Sequence, residues 1–153
     1  MPVISPFLWF DDTAEQAAEF YVSIFPNSEI TWSSRNPETG QIFGISFVLD
    51  GVLFQGMNAG PQFPFTEAIS FFVSAETQDD IDYYWNALLA DGGTESQCGW
   101  LKDRFGVSWQ VVPPRLGELL GGSDSAASGR AMQAMLAMRK IVIADLEAAY
   151  SAT

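Results

Sequence analysis

At 153 residues, 48% of them apolar and 14% aromatic, the chain is long enough for one domain with a real core and too short for two ordinary ones. A net charge of −12 with only seven basic residues leaves no electrostatic footprint for nucleic acid or an anionic membrane, and the absence of histidine removes the commonest metal ligand and the usual general base near neutral pH. One cysteine excludes an internal disulfide and fits a reducing compartment, and with no bilayer-length apolar run and no basic, apolar leader, the sequence predicts a cytoplasmic protein without a membrane span.

Residues 4–10 form a short apolar, aromatic-rich run that predicts a strand. Asp11-Asp12-Thr13 then signals a helix start, with Thr13 as N-cap and Gln16 reaching back as in a capping box. Ala14, Ala17, Ala18, Tyr21, Ile24 and Phe25 recur at helical spacing and form one apolar face, which Pro26-Asn27 ends. Residues 28–35 read as a moderately polar strand, and Asn36-Pro37-Glu38-Thr39-Gly40 as a chain reversal. Residues 41–49 and 52–58 predict a hairpin around Asp50-Gly51, a dipeptide that accepts positive φ.

A Pro- and Gly-broken loop over residues 59–67 separates this β-α-β-β-β module, residues 3–58, from a second one over residues 68–113. In the second, residues 68–75 predict a strand and Thr77 an N-cap with Asp79 and Asp80 in the favourable first turn. Ile81, Tyr84, Trp85, Leu88 and Leu89 form the helical face, and Gly92-Gly93 the stop. Residues 94–101 and 107–112 predict strands joined by a turn at Asp103-Arg104-Phe105-Gly106, with Lys102-Asp103-Arg104 solvated. Gly51-Val52-Leu53-Phe54-Gln55 and Gly106-Val107-Ser108-Trp109-Gln110 share one form, Ile4-Ser5 matches Ile69-Ser70, and Phe20-Tyr21 matches Tyr84-Trp85, in the same order. Such ordered self-similarity points to duplication.

Residues 114–153 repeat nothing and predict a helical appendage that covers a sheet edge or a partner subunit: a turn at 116–120, a helix over 126–138 and another over 143–150. Met132, Met135, Leu136 and Met138 lie at helical spacing and are assigned to the core.

The motifs WFDDTAEQAAEFYVSIFPNSEI, Asn58-Ala59-Gly60-Pro61, AISFFVSAETQDDIDYYW and QCGWLKDRFGVSWQVVP resemble the PhnB-like branch of the vicinal oxygen chelate superfamily, whose members often carry the label 3-demethylubiquinone-9 3-methyltransferase. The resemblance implies an α+β fold, the glyoxalase/bleomycin-resistance fold. In it two β-α-β-β-β modules form an open curved mixed sheet with a pocket between them, here followed by C-terminal helices. It also implies a homodimer.

In metal-dependent members of the superfamily, a divalent ion takes four side chains from the first and last strands of each module. The resemblance carries those positions onto Ser5, Gln55, Ala68 or Ser70, and Gln110. None offers imidazole or carboxylate, and strand alternation in this register turns Glu67, one residue away, from the pocket. The expectation is therefore no metal and no cofactor, with Gln55 and Gln110 either bonding across the two modules or orienting a polar ligand. Ser5, Trp9, Gln55, Ser70, Phe72, Cys98, Trp100 and Gln110 make up the expected pocket for a small-molecule ligand. Cys98 is the candidate nucleophile, on the same strand face as Lys102, although without histidine a small structural thiol is the simpler reading. No glycine-rich loop follows a parallel strand to hold S-adenosylmethionine, so methyl transfer is not expected. The alternative function is a metal-dependent lyase, isomerase or dioxygenase.

Overall fold

Pro6 has no amide hydrogen to give to a ladder, so the first strand, β1, runs only over Phe7–Phe10 and not from residue 4. The Pro6 carbonyl still accepts from the Gln55 amide at 2.9 Å. The computed structural model describes residues 2–153 and divides into two units between Phe65 and Thr66.

In the first unit, α1 (Ala14–Ile24) follows β1, and β2 (Glu29–Arg35), β3 (Ile42–Leu49) and β4 (Val52–Asn58) complete the sheet. The order is β1-β4-β3-β2, with β1 parallel to β4 and the other pairs antiparallel. Ala14, Ala17 and Ala18 are buried with Tyr21 and Ile24, and these small side chains let α1 lie close against β3. Tyr21 meets Phe47 there, and Phe47 stacks on its cross-strand partner Phe54 with ring centroids 5.4 Å apart. Phe25, assigned to the helical face, is only half-buried. At the β3–β4 turn Asp50 and Gly51 take φ of 45° and 85°, as the Asp-Gly signal predicts.

The expected capping box is absent. Thr13 makes no side-chain cap bond and Gln16 is exposed without reaching back. The free amide of Ala14 instead finds Asn58 Oδ1 at 2.8 Å, while Asn58 Nδ2 donates to the Ile42 carbonyl at 3.0 Å. A residue distant in sequence thus caps α1 and ties it to the sheet.

The second unit repeats the plan with β5 (Ser70–Ser74), α2 (Gln78–Leu89), β6 (Thr94–Glu95), β7 (Trp100–Lys102) and β8 (Ser108–Val112). Its order is β5-β8-β7-β6, with β5 parallel to β8. Here the local cap works: Thr77 Oγ1 accepts from the Asp80 amide at 3.1 Å. The predicted strand over 94–101 is not continuous. Cys98 and Gly99 take φ of 59° and 84° and fold it into the two-strand ladder β6–β7.

The turn after β7 also differs from its sequence reading. Asp103 is 3% exposed rather than solvated. Its carboxylate accepts from the amides of Phe105 and Val107 at 2.8 and 3.0 Å and from Trp109 Nε1 at 2.9 Å. The charge is buried because three donors converge on it.

Three helices, α3 (Pro114–Leu120), α4 (Ser125–Leu136) and α5 (Ile143–Ser151), close this unit. Asp124 caps α4, and Arg130 binds the carbonyls of Ala149 and Tyr150 at 3.0 and 2.7 Å. The methionine stripe is not the core: Ala127 and Ala131 are buried, whereas Met132 and Leu136 are 39% and 50% exposed and Met135 and Met138 only half-buried. Helices packed closely through alanine leave no room for methionine at the contact. Between α4 and α5, Ile141 is fully buried, and Gln78 grips both sides of it by donating to the Ile141 carbonyl and accepting from the Ile143 amide. Among the described residues no helix is long and apolar enough to cross a membrane.

Candidate functional site

Gln55 and Gln110 occupy matching places in the two sheets, each on the strand that closes against the first strand of its module. Gln55 Nε2 donates to Ser5 Oγ at 2.9 Å, and Gln110 Nε2 donates to Ser70 Oγ at 2.9 Å. Each glutamine is thus bonded to a serine of its own module. The amide oxygen of each has no partner among the described residues, so each pair keeps one acceptor and one hydroxyl proton for something else.

Strand register sorts the other expected residues. Phe7 lies beside Gln55 and Phe72 beside Gln110, while Trp100 is directly opposite Gln110 on the antiparallel side. Residues paired in this way share a sheet face. Trp9 lies further along β1, where its Nε1 donates to the Gly60 carbonyl at 2.8 Å and its ring makes a T-shaped contact with Phe63, ring centroids 4.9 Å apart. Cys98 lies in the turn between β6 and β7. It is not on a strand, so alternation does not place it with Lys102. Its amide and that of Gly99 donate to the carbonyls of Met138 and Arg139, both at 2.8 Å. A Cβ at Gly99 would lie 2.9 Å from the Val111 carbonyl oxygen and 3.1 Å from Ile141 Cγ1, so glycine is required there both by φ and by the close approach.

A cavity of about 240 Å³ opens in the second module, lined by Glu67, Thr94, Glu95, Ser96, Trp100, Leu101, Lys102 and Ser108. Thr94 is opposite Lys102 and Lys102 opposite Ser108, so all three share the face of Trp100 and Gln110. Glu67 sits in a turn ahead of β5 rather than on a strand, so the alternation that would turn it outward does not apply, and its carboxylate pairs with Lys102 Nζ. The hydrogen bond from Lys102, helped by a backbone donor and the ammonium charge, lowers the Glu67 pKa below the usual carboxylate value. Ser108 is 2% exposed, and its Oγ is the one buried side-chain polar atom among the described residues with no hydrogen-bond partner.

Sequence reasoning passed over Ser108, Lys102 and Glu67 as cavity residues. One signal was present: within the repeated Gly-Val-x-aromatic-Gln form, Ser108 stands where the first module has Leu53. A hydroxyl two residues before Gln110 shares its face.

Among the described residues no three His, Cys, Asp or Glu side chains cluster as metal ligands do. At the two Gln–Ser pairs the donors are neutral amide and hydroxyl groups already bonded to each other. Such groups do not offset the dehydration of a divalent cation, so the residues present do not fit the metal of the superfamily's metal-dependent members.

Residues 2–112 match the family model described as 3-demethylubiquinone-9 3-methyltransferase. A solved structure of a putative 3-demethylubiquinone-9 3-methyltransferase, PhnB protein, from Bacillus cereus is 34% identical, with a TM-score of 0.68, 73% of this chain and 99% of that chain covered. Protein PA1353 from Pseudomonas aeruginosa is 20% identical, with a TM-score of 0.59 and coverage of 74% and 98%. The fosfomycin resistance protein FosX from Listeria monocytogenes, complexed with Mn(II) and sulfate, is 18% identical, with a TM-score of 0.51 and coverage of 72% and 91%. No curated protein sequence matches.

Proposed function

The chain belongs to the family described as 3-demethylubiquinone-9 3-methyltransferase, a PhnB-like branch of the vicinal oxygen chelate superfamily, and from that premise we propose that it binds a small, partly apolar organic molecule without a metal ion. The observation that carries this reading is the duplicated Gln–Ser pair. At the positions where the resemblance places metal ligands, each module offers an amide oxygen and a hydroxyl proton, groups suited to orienting a polar ligand atom. Phe7, Phe72 and Trp100 beside the pairs supply the apolar surroundings that such sites use to hold a ligand body.

Methyl transfer is not part of the proposal. The first parallel strand of each module leads to a helix and then to antiparallel hairpins, whereas the common S-adenosylmethionine site needs a glycine-rich turn within alternating parallel α/β units. The thiol of Cys98 is given no catalytic role either, since the chain has no histidine to serve as its base. A cytoplasmic homodimer is the proposed working form.

Native mass spectrometry of protein purified without chelators tests the reading. The expected spectrum is a dimer that retains a small organic molecule, lost when Gln55 and Gln110 are both replaced by alanine. Stoichiometric manganese, zinc, nickel or iron would establish the metal-dependent alternative.

A further inference from the structure

The cavity beside Gln110 has a polarity that the Gln–Ser pairs alone do not explain. Its lining includes the hydroxyl of Ser108, buried and unbonded, in the antiparallel pair opposite Lys102. A buried hydroxyl without a partner is costly and is retained where something else completes it. The ammonium of Lys102 already holds a carboxylate, but that carboxylate belongs to Glu67, which is 63% exposed and sits on a turn. Glu67 bonds Lys102 and leaves Ser108 unsatisfied. A carboxylate deeper in the cavity would meet both donors.

We propose that this cavity binds the carboxylate of a small monoanionic organic acid between Lys102 Nζ and Ser108 Oγ, with the acid's apolar body against the Trp100 indole and Glu67 released to solvent. The proposal rests on the small-molecule reading above and assigns the ligand's carboxylate to the cavity on the Trp100 and Gln110 face of the second module. Charge selects a monoanion: once Glu67 leaves, Lys102 is the one cation in the lining, the other lining carboxylate, Glu95, being held by Trp85 Nε1 and Arg139, and a dianion would keep one charge uncompensated in a chain of net charge −12. Size selects a small acid, since about 240 Å³ is less than the roughly 300–1,000 Å³ of drug-sized sites. Opening the Lys102–Glu67 pair costs little, because both partners are substantially exposed. The pair thus holds the ammonium in place without blocking a ligand that bonds it and Ser108 together.

Calorimetric titration of the full chain with benzoate, benzamide and inorganic phosphate tests the proposal. Benzoate is expected to saturate one site per chain, benzamide to bind at least tenfold more weakly for want of the charge, and phosphate not to saturate, a tenfold change being about 1.4 kcal/mol. Glu67→Gln is expected to tighten benzoate roughly two- to fivefold by removing the resident competitor. Lys102→Met abolishes binding. Ser108→Ala weakens benzoate while leaving the unfolding midpoint unchanged or higher, because it removes an unsatisfied hydroxyl; a merely structural serine would lower the midpoint as well. Benzamide binding as tightly as benzoate, with Glu67→Gln silent, overturns the anion proposal. So does a neutral retained molecule that benzamide displaces and benzoate does not, which leaves the small-molecule reading standing. Failure of benzoate to bind even Glu67→Gln at about 10 mM also overturns it.

Discussion

The two modules share strand order, a parallel closing pair and the Gln–Ser bond, but they hold their outer hairpins differently. In the first, β2 and β3 are seven and eight residues long, and their ladder is closed by a turn in which Asn36 Oδ1 accepts from the Glu38 amide. In the second, β6 and β7 have two and three residues. A ladder so short is marginal alone, and its turn is fastened from outside by the carbonyls of Met138 and Arg139, with Ile141 packed on Gly99. The fastening segment lies beyond residues 2–112, the part that matches the family model. The difference teaches that a duplicated fold keeps its pairing core while the support of a shortened hairpin passes to a segment outside the repeat.

The closing turns give the largest test of this comparison. Asp103→Ala removes a buried acceptor from three donors, and about 4 kcal/mol of stability should go with it. Asp50→Ala, in the corresponding turn of the first module, removes an exposed side chain at positive φ and should cost about 1 kcal/mol. Denaturant unfolding of the two variants measures the gap. Similar losses would mean that the turns are equivalent after all.

Ile141→Ala comes next. It empties a fully buried site between the C-terminal segment and the second sheet, and a loss of about 3 kcal/mol is expected. Amide exchange sharpens the result: protection should fall at Cys98 and Gly99 and stay unchanged in β2 and β3. Uniform loss of protection in both modules would contradict the outside support.

The helix caps give the smallest effect. Thr77→Ala and Asn58→Ala should each cost about 1 kcal/mol, whereas Thr13→Ala, which removes no cap bond, should be close to neutral in thermal unfolding. A cost at Thr13 equal to that at Thr77 would restore the local cap that the sequence predicts.

These differences mark where the sequence was legible. Both module orders, the Asp50-Gly51 turn and the Thr77 cap rest on local rules, turn chemistry and a hydroxyl three residues from its amide, and they are present in the structure. The features that sequence missed depend on distant partners. Asn58 caps a helix 44 positions earlier in the chain, and Asp103 lies within a charged triplet whose pattern reads as solvated until three donors are brought around it. Cys98-Gly99 interrupts a strand because residues 138 and 139 accept its amides. At the site, the likeness of Gln55 and Gln110 was visible, as were Ser5 and Ser70. Their pairing within a module was not, and neither was the cavity at Ser108, because a lone serine in a strand carries no periodic signal.

The central claim is that the duplicated Gln–Ser pairs serve an organic ligand rather than a metal ion. Titration calorimetry with Mn(II) on chelator-free protein tests it most directly. No saturable binding to the wild-type chain is expected, and no difference between it and the Gln55→Ala/Gln110→Ala variant. One Mn(II) bound per chain, abolished in that variant, would contradict it.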